Sequence, residues 1–571
     1  MLEAQSRHGR TVLTTLCVLA LLACNRPPEI QHDAVFGPSH GAVGDTLWFS
    51  ARALDPDGDS VGVRVAWGAD DTSGWTGFDV PGKLESLSYV WHDDGYRIVT
   101  AQARDIRGAL SNWSLGRGVS IGVAPVRPEP PIGPGYVQLD REYAFRAVSR
   151  DTSGHERRLR YVFDWGRGKL DTAAVSYPSG DTVIHRHTWR TPGTYEVRVK
   201  AITDRVGIPS AWSEPRRVLV DSALGSLIWQ YVLGAEVHSS PALDEERGLL
   251  YVGCDDFRLY AVTTAGGPVW QFVTSGRVRT TPAVAPDGAV VFGSDDETLY
   301  CVGPDGLLRW RHGLADKPGP APALGPGGAV AIGDESGRIH VRAPDAGEWR
   351  SYRTGGRVRC GPAFGADGTV YAGSDDRLLY ALTPACSLLW SYPATGRIRG
   401  SPAIGAGGTV HFGCDDGAFY AVAPDGGFRW RYKAGGDINC SPAIGADGTV
   451  YVGSDDRWFY ALDSSGRVRW RFKSDGRIKS SPALGDNGEI LFGADGGSFC
   501  VLNGWGDLMW DYDAGNDIQT GPVVGSDSTV YLAGTDGRLH ALRTGCRLAT
   551  DAPWPMYRHD ARRSARAGGP H

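Results

Sequence analysis

At 571 residues the chain is too long for one ordinary core, and about 100–200 residues per domain predicts three or four units. With 79 Gly, 35 Pro, 19 Trp and 22 Tyr against 3 Met, the composition favours turns and β-structure over long helices. The 59 basic and 65 acidic residues are well mixed and sum to −6, which leaves no global field for a polyanion and excludes nucleic acid as a partner.

The chain opens with Arg7 and Arg10, followed by an apolar stretch from Thr11 to Leu22 that ends in Leu21-Leu22-Ala23-Cys24. About 12 apolar residues cannot span roughly 30 Å of hydrocarbon, so residues 1–23 read as a processing segment. The ending resembles the lipobox of bacterial lipoproteins, which implies acylation of Cys24 and a mature chain tethered to the membrane. An ordinary secretory signal is the alternative. Asn25 is not the Asp that favours inner-membrane retention in enterobacterial lipoproteins, which points to the outer membrane, on its periplasmic or surface face.

Residues 24–122 and 136–221 are two modules of alternating strands, separated by a proline-rich stretch at 123–135 that should be stiff and extended. Asp55-Pro56-Asp57-Gly58-Asp59, Gly95-Tyr96 and Asp105 in the first, and Phe163-Asp164-Trp165-Gly166 with Gly193-Thr194-Tyr195 in the second, resemble polycystic-kidney-disease (PKD) domains. That implies immunoglobulin-like β-sandwiches, with fibronectin-like sandwiches as the alternative. Each module ends alike, in Ser111-Asn112-Trp113-Ser114 and Ser210-Ala211-Trp212-Ser213. Asp55, Asp57 and Asp59, with Asp105 near them, offer the clustered oxygens that calcium prefers. His185 and His187 alternate on one strand without a third ligand and read as a solvated face.

From about 225 to 545 the chain is periodic. A Ser-Pro-Ala-like tripeptide places its proline at 241, 282, 322, 362, 402, 442, 482 and 522, and a strand-ending Trp recurs at 229, 270, 310, 349, 390, 430, 470 and 510. Within a unit, Asp447-Gly448, Asp455-Asp456 and Ser464-Ser465-Gly466 mark three reversals between four short strands. Four antiparallel strands per 40 residues make a propeller blade, so the fold class is all-β, with an eight-bladed β-propeller after two sandwiches. The last unit lacks its own Trp strand, so Leu227 to Val232 should complete it and close the ring.

The units, through Ala461, Asp463, Gly466 and Trp470, resemble the repeats of pyrroloquinoline quinone (PQQ) propellers. That resemblance implies two alternatives: a non-enzymatic binding scaffold similar to the outer-membrane assembly lipoproteins, or a PQQ- or calcium-dependent quinoprotein-like enzyme. The enzyme needs a held cofactor, yet the chain has neither a Cys-Cys pair nor a Cys-x-x-Cys-His haem site, so PQQ is not expected. Cys254/Cys414, Cys301/Cys500, Cys360/Cys440 and Cys386/Cys546 fall in shared slots of non-adjacent units, too far apart to bridge, while bridges between slots stay open. The Asp doublets, such as Asp375-Asp376, read as turn residues.

Counting back from each proline gives the binding surface. The fourth residue before it is apolar, as in Val358 and Ile398, and alternation turns the third and fifth the other way. Units two to five there carry Arg277, Arg279, Lys317, Arg357, Arg359, Arg397 and Arg399, whereas Glu236, Asp437 and Asp517 lie in the rest. This lopsided basic ring at one channel mouth suits an envelope protein with exposed carboxylates or an anionic polymer. A surface adhesin or carbohydrate-binding protein working through its sandwiches is a third reading. The propeller is expected to be monomeric. In the tail at 546–571, Pro553 to Asp560 resembles a short sequence flanking PQQ-like propellers and should pack an aromatic pair on the ring, while Ala561 to His571 is expected to be disordered.

Overall fold

The computed structural model describes residues 25–68, 71–152, 158–204, 207–344 and 347–567; Cys24 and the segment before it lie outside the described residues. The chain is all-β and divides into two compact units, one comprising residues up to 132 with 145–185 and 195–217, the other 133–144 with 186–194 and 218 onwards. No helix among the described residues is long and apolar enough to cross a membrane.

In the first unit, Glu29–Phe36, Thr46–Leu54 and Leu84–Val90 form one sheet, and His40–Gly41, Arg117–Ile121, Gly95–Asp105 and Val61–Ala66 form the other. Alternation along Thr46–Leu54 buries Phe49, Ala51 and Ala53. Phe49 meets Trp67 and Trp91 edge-on at 5.8 and 6.0 Å. The second sandwich is centred on Arg158–Asp164, which pairs with Leu170–Thr172 on one side and with Gly193–Thr203 on the other.

The repeated Ser-x-x-Ser ending has a backbone purpose. Ser111 and Ser114 bond Ala103 and Ala101 in both directions, the amide to a strand carbonyl and the hydroxyl accepting the strand amide at 2.9 and 3.0 Å. Ser210 and Ser213 do the same to Ala201 and Val199. The hydroxyls stand in for a missing strand and satisfy an open edge.

The proline-rich stretch is extended and also docked. Pro125, Pro128 and Pro131 are buried at a spacing of three, the period of a polyproline II helix. Val126 donates to Arg150 O, and Ile132 exchanges both backbone bonds with Arg146. His187, expected on a solvated face, is only 8% exposed and meets Trp189 edge-on at 4.6 Å.

The second unit holds eight four-stranded sheets. Blade 1 consists of Ala242–Asp244, Leu249–Cys254, Arg258–Thr263 and Pro268–Val273, and blades 2 to 7 repeat it up to Asp513. Blade 8 takes Val523–Val524, Thr529–Gly534 and Arg538–Arg543 and is completed by Leu227–Val232 from the start of the unit. The ring is also closed on its inside. Just before five of the eight prolines a hydroxyl accepts an amide from the neighbouring blade, as from Gly361 to Ser401, Ser401 to Ser441 and Ser441 to Ser481, all at 2.9 Å, whereas blade 3 has Ala321 there and blades 4 and 8 have glycine. Gly521 of blade 8 donates to Ser240 of blade 1 at 2.9 Å, so this belt spans the seam.

The repeated Trp is an inter-blade wedge. Trp470 Nε1 donates to Gly504 O of the next blade at 2.9 Å, and its ring covers Gly506, whose φ of +84° and closeness to the ring leave no room for a side chain. Eight cysteines among the described residues are buried and unpaired. Cys301 and Cys500, expected in one slot, stand in adjacent ones, since Cys301 opposes Val291 whereas Cys500 opposes Phe492. Burial pushes the Cys301 and Cys360 thiols up to about 11, which makes them poor nucleophiles.

Candidate functional site

The predicted alternation is present before seven of the eight prolines; in blade 3 Pro318 is half-buried and Gly319 is buried instead. Val278, Val358 and Ile398 are fully buried, while Arg277, Arg357 and Arg397 are exposed and Arg279, Arg359 and Arg399 half-buried. The seven predicted cations therefore divide into an outer tier, Arg277, Lys317, Arg357 and Arg397, and an inner tier, Arg279, Arg359 and Arg399.

What sequence reasoning missed is the acidic half of the ring. In every blade the residue between the second and third strands bonds back to the outer-tier residue: Asp255 N to Glu236 O, Asp295 to Arg277, Glu335 to Lys317, Asp375 to Arg357, Asp415 to Arg397, Asp455 to Asp437, Asp495 to Arg477 and Thr535 to Asp517. The first Asp of each doublet is thus carried to the collar. The second keeps the turn role, with Asp376 Oδ2 accepting from Tyr380 and from Gly355 N at 2.7 Å.

Inner-tier arginines then sit between carboxylates of successive blades. Arg279 grips Asp255 with Nε and Nη2 at 2.9 and 2.7 Å and stands 4.0 Å from Asp295. Arg359 lies 3.2 Å from Glu335 and 4.0 Å from Asp375; Arg399 lies 3.5 Å from Asp375 and 3.7 Å from Asp415. Burial works against the Asp255 charge, but the Arg279 guanidinium outweighs it and holds the carboxyl below its ordinary range. Alternating charge therefore clamps blade to blade, and the outer tier remains the accessible cation set. Arg277, Arg357 and Arg397 keep half or more of their side chains exposed, and Lys317 makes no ion pair among the described residues.

The polarity of the ring stays lopsided, because blades 6 to 8 and 1 add Asp437, Asp455, Asp495, Asp517, Glu236 and Asp255 against Arg477 and Lys479. Asp455 is the weak point. Its neighbouring inner-tier slots hold Asn439 and Lys479, whose ammonium lies 3.4 Å from Asp495 instead. Burial, with help from Asp437, raises its pKa, and its Oδ1 is buried without a hydrogen-bond partner.

The opposite end of the ring is closed by the C-terminal tail, contrary to the expected disorder after Ala561. Residues 561–567 are packed, while 568–571 lie outside the described residues. Two residues beyond the blade proline, backbone amides of six blades donate to tail carbonyls: Leu243 to Ala561, Val284 to Arg562, Leu324 to Ser564, Phe364 to Ala565, Ile444 to Trp554 and Leu484 to Pro555. From this strap Arg558 and Arg563, 1% and 0% exposed, reach into the axis. Arg558 donates to the carbonyls of Pro322 and Pro362, and Arg563 to those of Pro241, Gly521 and Pro522. Gly361 and Gly521 explain themselves here. They replace the belt hydroxyl in blades 4 and 8, and a side chain at either would meet Arg558 or Tyr557.

In the first unit, Asp55, Asp59 and Asp105 bring carboxylate oxygens within 4.8 Å of one another. Asp57 does not join them, because it turns outward to Arg26, accepting from N and Nε at 2.7 and 2.8 Å, which lowers its pKa. Asn25 completes the group, its Nδ2 donating to Asp105 at 2.7 Å. Asn25 Oδ1 and Asp55 Oδ2 are buried without hydrogen-bond partners, while Asp59 Oδ2 lies 3.3 Å from Arg107.

The family model described as outer membrane protein assembly factor BamB matches residues 214–354, 348–438 and 415–553. Among solved structures, BamB from Moraxella catarrhalis is 19% identical, covering 56% of this chain and 98% of its own, with a TM-score of 0.49. The computationally designed Ika8 protein is 17% identical over 56% of this chain and 100% of its own, TM-score 0.46. A PKD domain of an M14-like peptidase from a Thermoplasmatales archaeon is 30% identical, covering 18% of this chain and all of its own, TM-score 0.16. No curated protein matches the chain.

Proposed function

We propose, from the premise that this chain belongs to the family of the outer membrane protein assembly factor BamB, that it is a non-enzymatic scaffold of the cell envelope. In this reading Cys24 carries the lipid anchor at the outer membrane, and the propeller docks an envelope protein or anionic polymer at its collar. The observation that carries the reading is the division of the collar into tiers. The inner arginines are the more buried and sit between inter-blade carboxylates, whereas Arg277, Arg357 and Arg397, although 3.5, 3.7 and 3.9 Å from Asp255, Glu335 and Asp415, keep half or more of their side chains exposed on one arc with Lys317. A partner with carboxylates facing blades 2 to 5 gains attraction there and is oriented by the acidic remainder of the ring.

The test is capture of native envelope proteins by the full chain, with Arg357→Glu and Arg397→Glu together against Arg429→Glu on an outer strand. Loss of capture in the collar pair alone supports the reading, and unchanged capture overturns it. Incorporation of radiolabelled palmitate, abolished by Cys24→Ser, tests the anchor.

A second reading concerns calcium. The two unpartnered buried oxygens of Asn25 and Asp55, beside Asp59 and Asp105, suit a hard cation that would fasten the segment after Cys24 to the first sandwich. Calorimetric titration with calcium chloride should show one site that Asp55→Asn removes; no heat in the wild type overturns this reading.

A further inference from the structure

The blade repeat is broken at the seam of blades 2 and 3, and two of the departures, Val291 and Arg342, face one cavity. On the second strand, Tyr251, Tyr371 and Tyr451 pack on the Trp of their own blade at 5.7–5.9 Å, and His411 does so at 5.6 Å. Three blades have no ring in that slot, holding Val291 in blade 2, Ala331 in blade 3 and Leu491 in blade 7; Val291 faces Cys301 and, beyond it, Trp310. On the third strand, Val262, Val302, Leu382, Val422, Leu462, Leu502 and Leu542 are all fully buried. Blade 3 has Arg342 there, opposite Val330, and its guanidinium lies 4.9 Å from the Trp310 ring centre.

The result is a cavity of about 840 Å³, within the range of small-molecule sites. Its apolar side is formed by Val291, Cys301, Trp310 and Leu324, and the tail supplies a wall through Arg562, Ser564 and Arg566. Of its cations, Arg309 is paired with Asp287 and Arg562 with Glu246. Arg342 and Arg566 have no ion pair among the described residues, and Arg566 Nε is buried without a hydrogen-bond partner. An aromatic ring beneath Arg342, in a cavity that Arg566 also lines, suits an apolar body bearing an anion. Glu245, Glu246 and Asp287 also line the cavity and would repel a polyanion.

The geometry points to a binding site for a small amphipathic monoanion, an aromatic or short-chain carboxylic acid whose apolar part covers Trp310 and whose carboxylate meets Arg342 and Arg566. The site is separate from the collar and stands whether or not the collar binds a partner.

Calorimetric titration of the full chain with naphthalene-2-carboxylate, and with the neutral naphthalene-2-carboxamide, tests it. The carboxylate should bind at one saturable site, about tenfold tighter than the amide. Val291→Tyr and Arg342→Leu each restore what other blades hold, so both should fold, as a thermal scan verifies. Val291→Tyr should abolish binding of both probes by filling the cavity. Arg342→Leu should erase the preference for the carboxylate while keeping the amide. Absence of saturable binding to the wild type, equal affinity for the two probes, or binding undiminished in Val291→Tyr overturns the proposal. Should Val291→Tyr not fold, Arg342→Leu and the probe pair still decide the matter.

Discussion

Replacing Arg563 by Leu removes a guanidinium that donates to four carbonyls, Pro241 at 3.0 Å, Gly521 and Pro522 at 2.8 Å and Tyr557 at 2.6 Å. A hydrogen bond from a charged donor contributes roughly 1.5–3 kcal/mol, but the four cannot simply be added. Burial opposes the charge and pulls the Arg563 pKa down to about 10, so part of the gain offsets desolvation. Leu fits the volume but leaves four interior carbonyls without donors, and breaking a buried charged contact of this kind costs about 3–5 kcal/mol. For a unit of this size the unfolding entropy is roughly 0.7 kcal/mol per degree, so the propeller transition should fall by about 4–7 °C. Differential scanning calorimetry reads the shift, and limited proteolysis should show the tail cut after 546 before the blades. Arg562→Leu is the matched control. That side chain pairs with Glu246 at 2.7 Å near the surface and lies 3.9 Å from the buried Asp244, contacts that should together contribute less than the four interior hydrogen bonds of Arg563. Equal shifts in the two variants, or none in either, would refute the reading of the tail as a structural plug.

Acid should destabilise the propeller partly through His411, which is buried, has Nδ1 unpartnered and has its pKa lowered by burial to about 3. The unfolded chain binds this proton below about pH 6.5 and the folded chain does not, so stability falls as pH drops through that window. His411→Phe should remove about 1.4 kcal/mol per pH unit from the slope between pH 6 and 4 in urea titrations. Asp455 has the opposite sign: its pKa is raised, so the ionised form is disfavoured in the folded state and the penalty is relieved as pH falls through the raised value. Asp455→Asn should therefore stabilise the ring at pH 7 and not at pH 3, measured by thermal melts at both pH values.

The eight-fold ring was legible because a proline marks every blade in one register and a tryptophan recurs beside it, displaced by one position only at Trp349 of blade 3. The collar was half legible. Alternation placed Val358 inward and Arg357 outward, since that depends only on strand period. Its acidic half needed a long-range fact, the backbone bond from Asp375 to Arg357, that no local pattern states. A trace was nevertheless available. Asp255 and Arg279, Glu335 and Arg359, and Asp375 and Arg399 are each 24 residues apart, a repeated spacing of opposite charges that the turn reading of the doublets concealed. The tail was misread because Arg- and Gly-rich composition usually signals solvation. Arg558 and Arg563 are buried only because a ring of inner-strand carbonyls already exists to receive them.

The departures from the repeat carry more information than the repeat. A slot filled alike in most blades is explained by packing, so an exception requires a local cause. Gly361 and Gly521 lack the belt hydroxyl, and each gap is filled by Arg558 or Tyr557 from the tail. Val291 and Arg342 also depart from the repeat, yet among the described residues no side chain fills the space they open. An apolar slot given over to a guanidinium costs burial energy that a purely structural blade would have no reason to lose. The first pair of exceptions is answered within the chain. The second is answered only by something from outside it, which is why the blade 2–3 seam, rather than the more conspicuous collar, is where a small ligand should be sought.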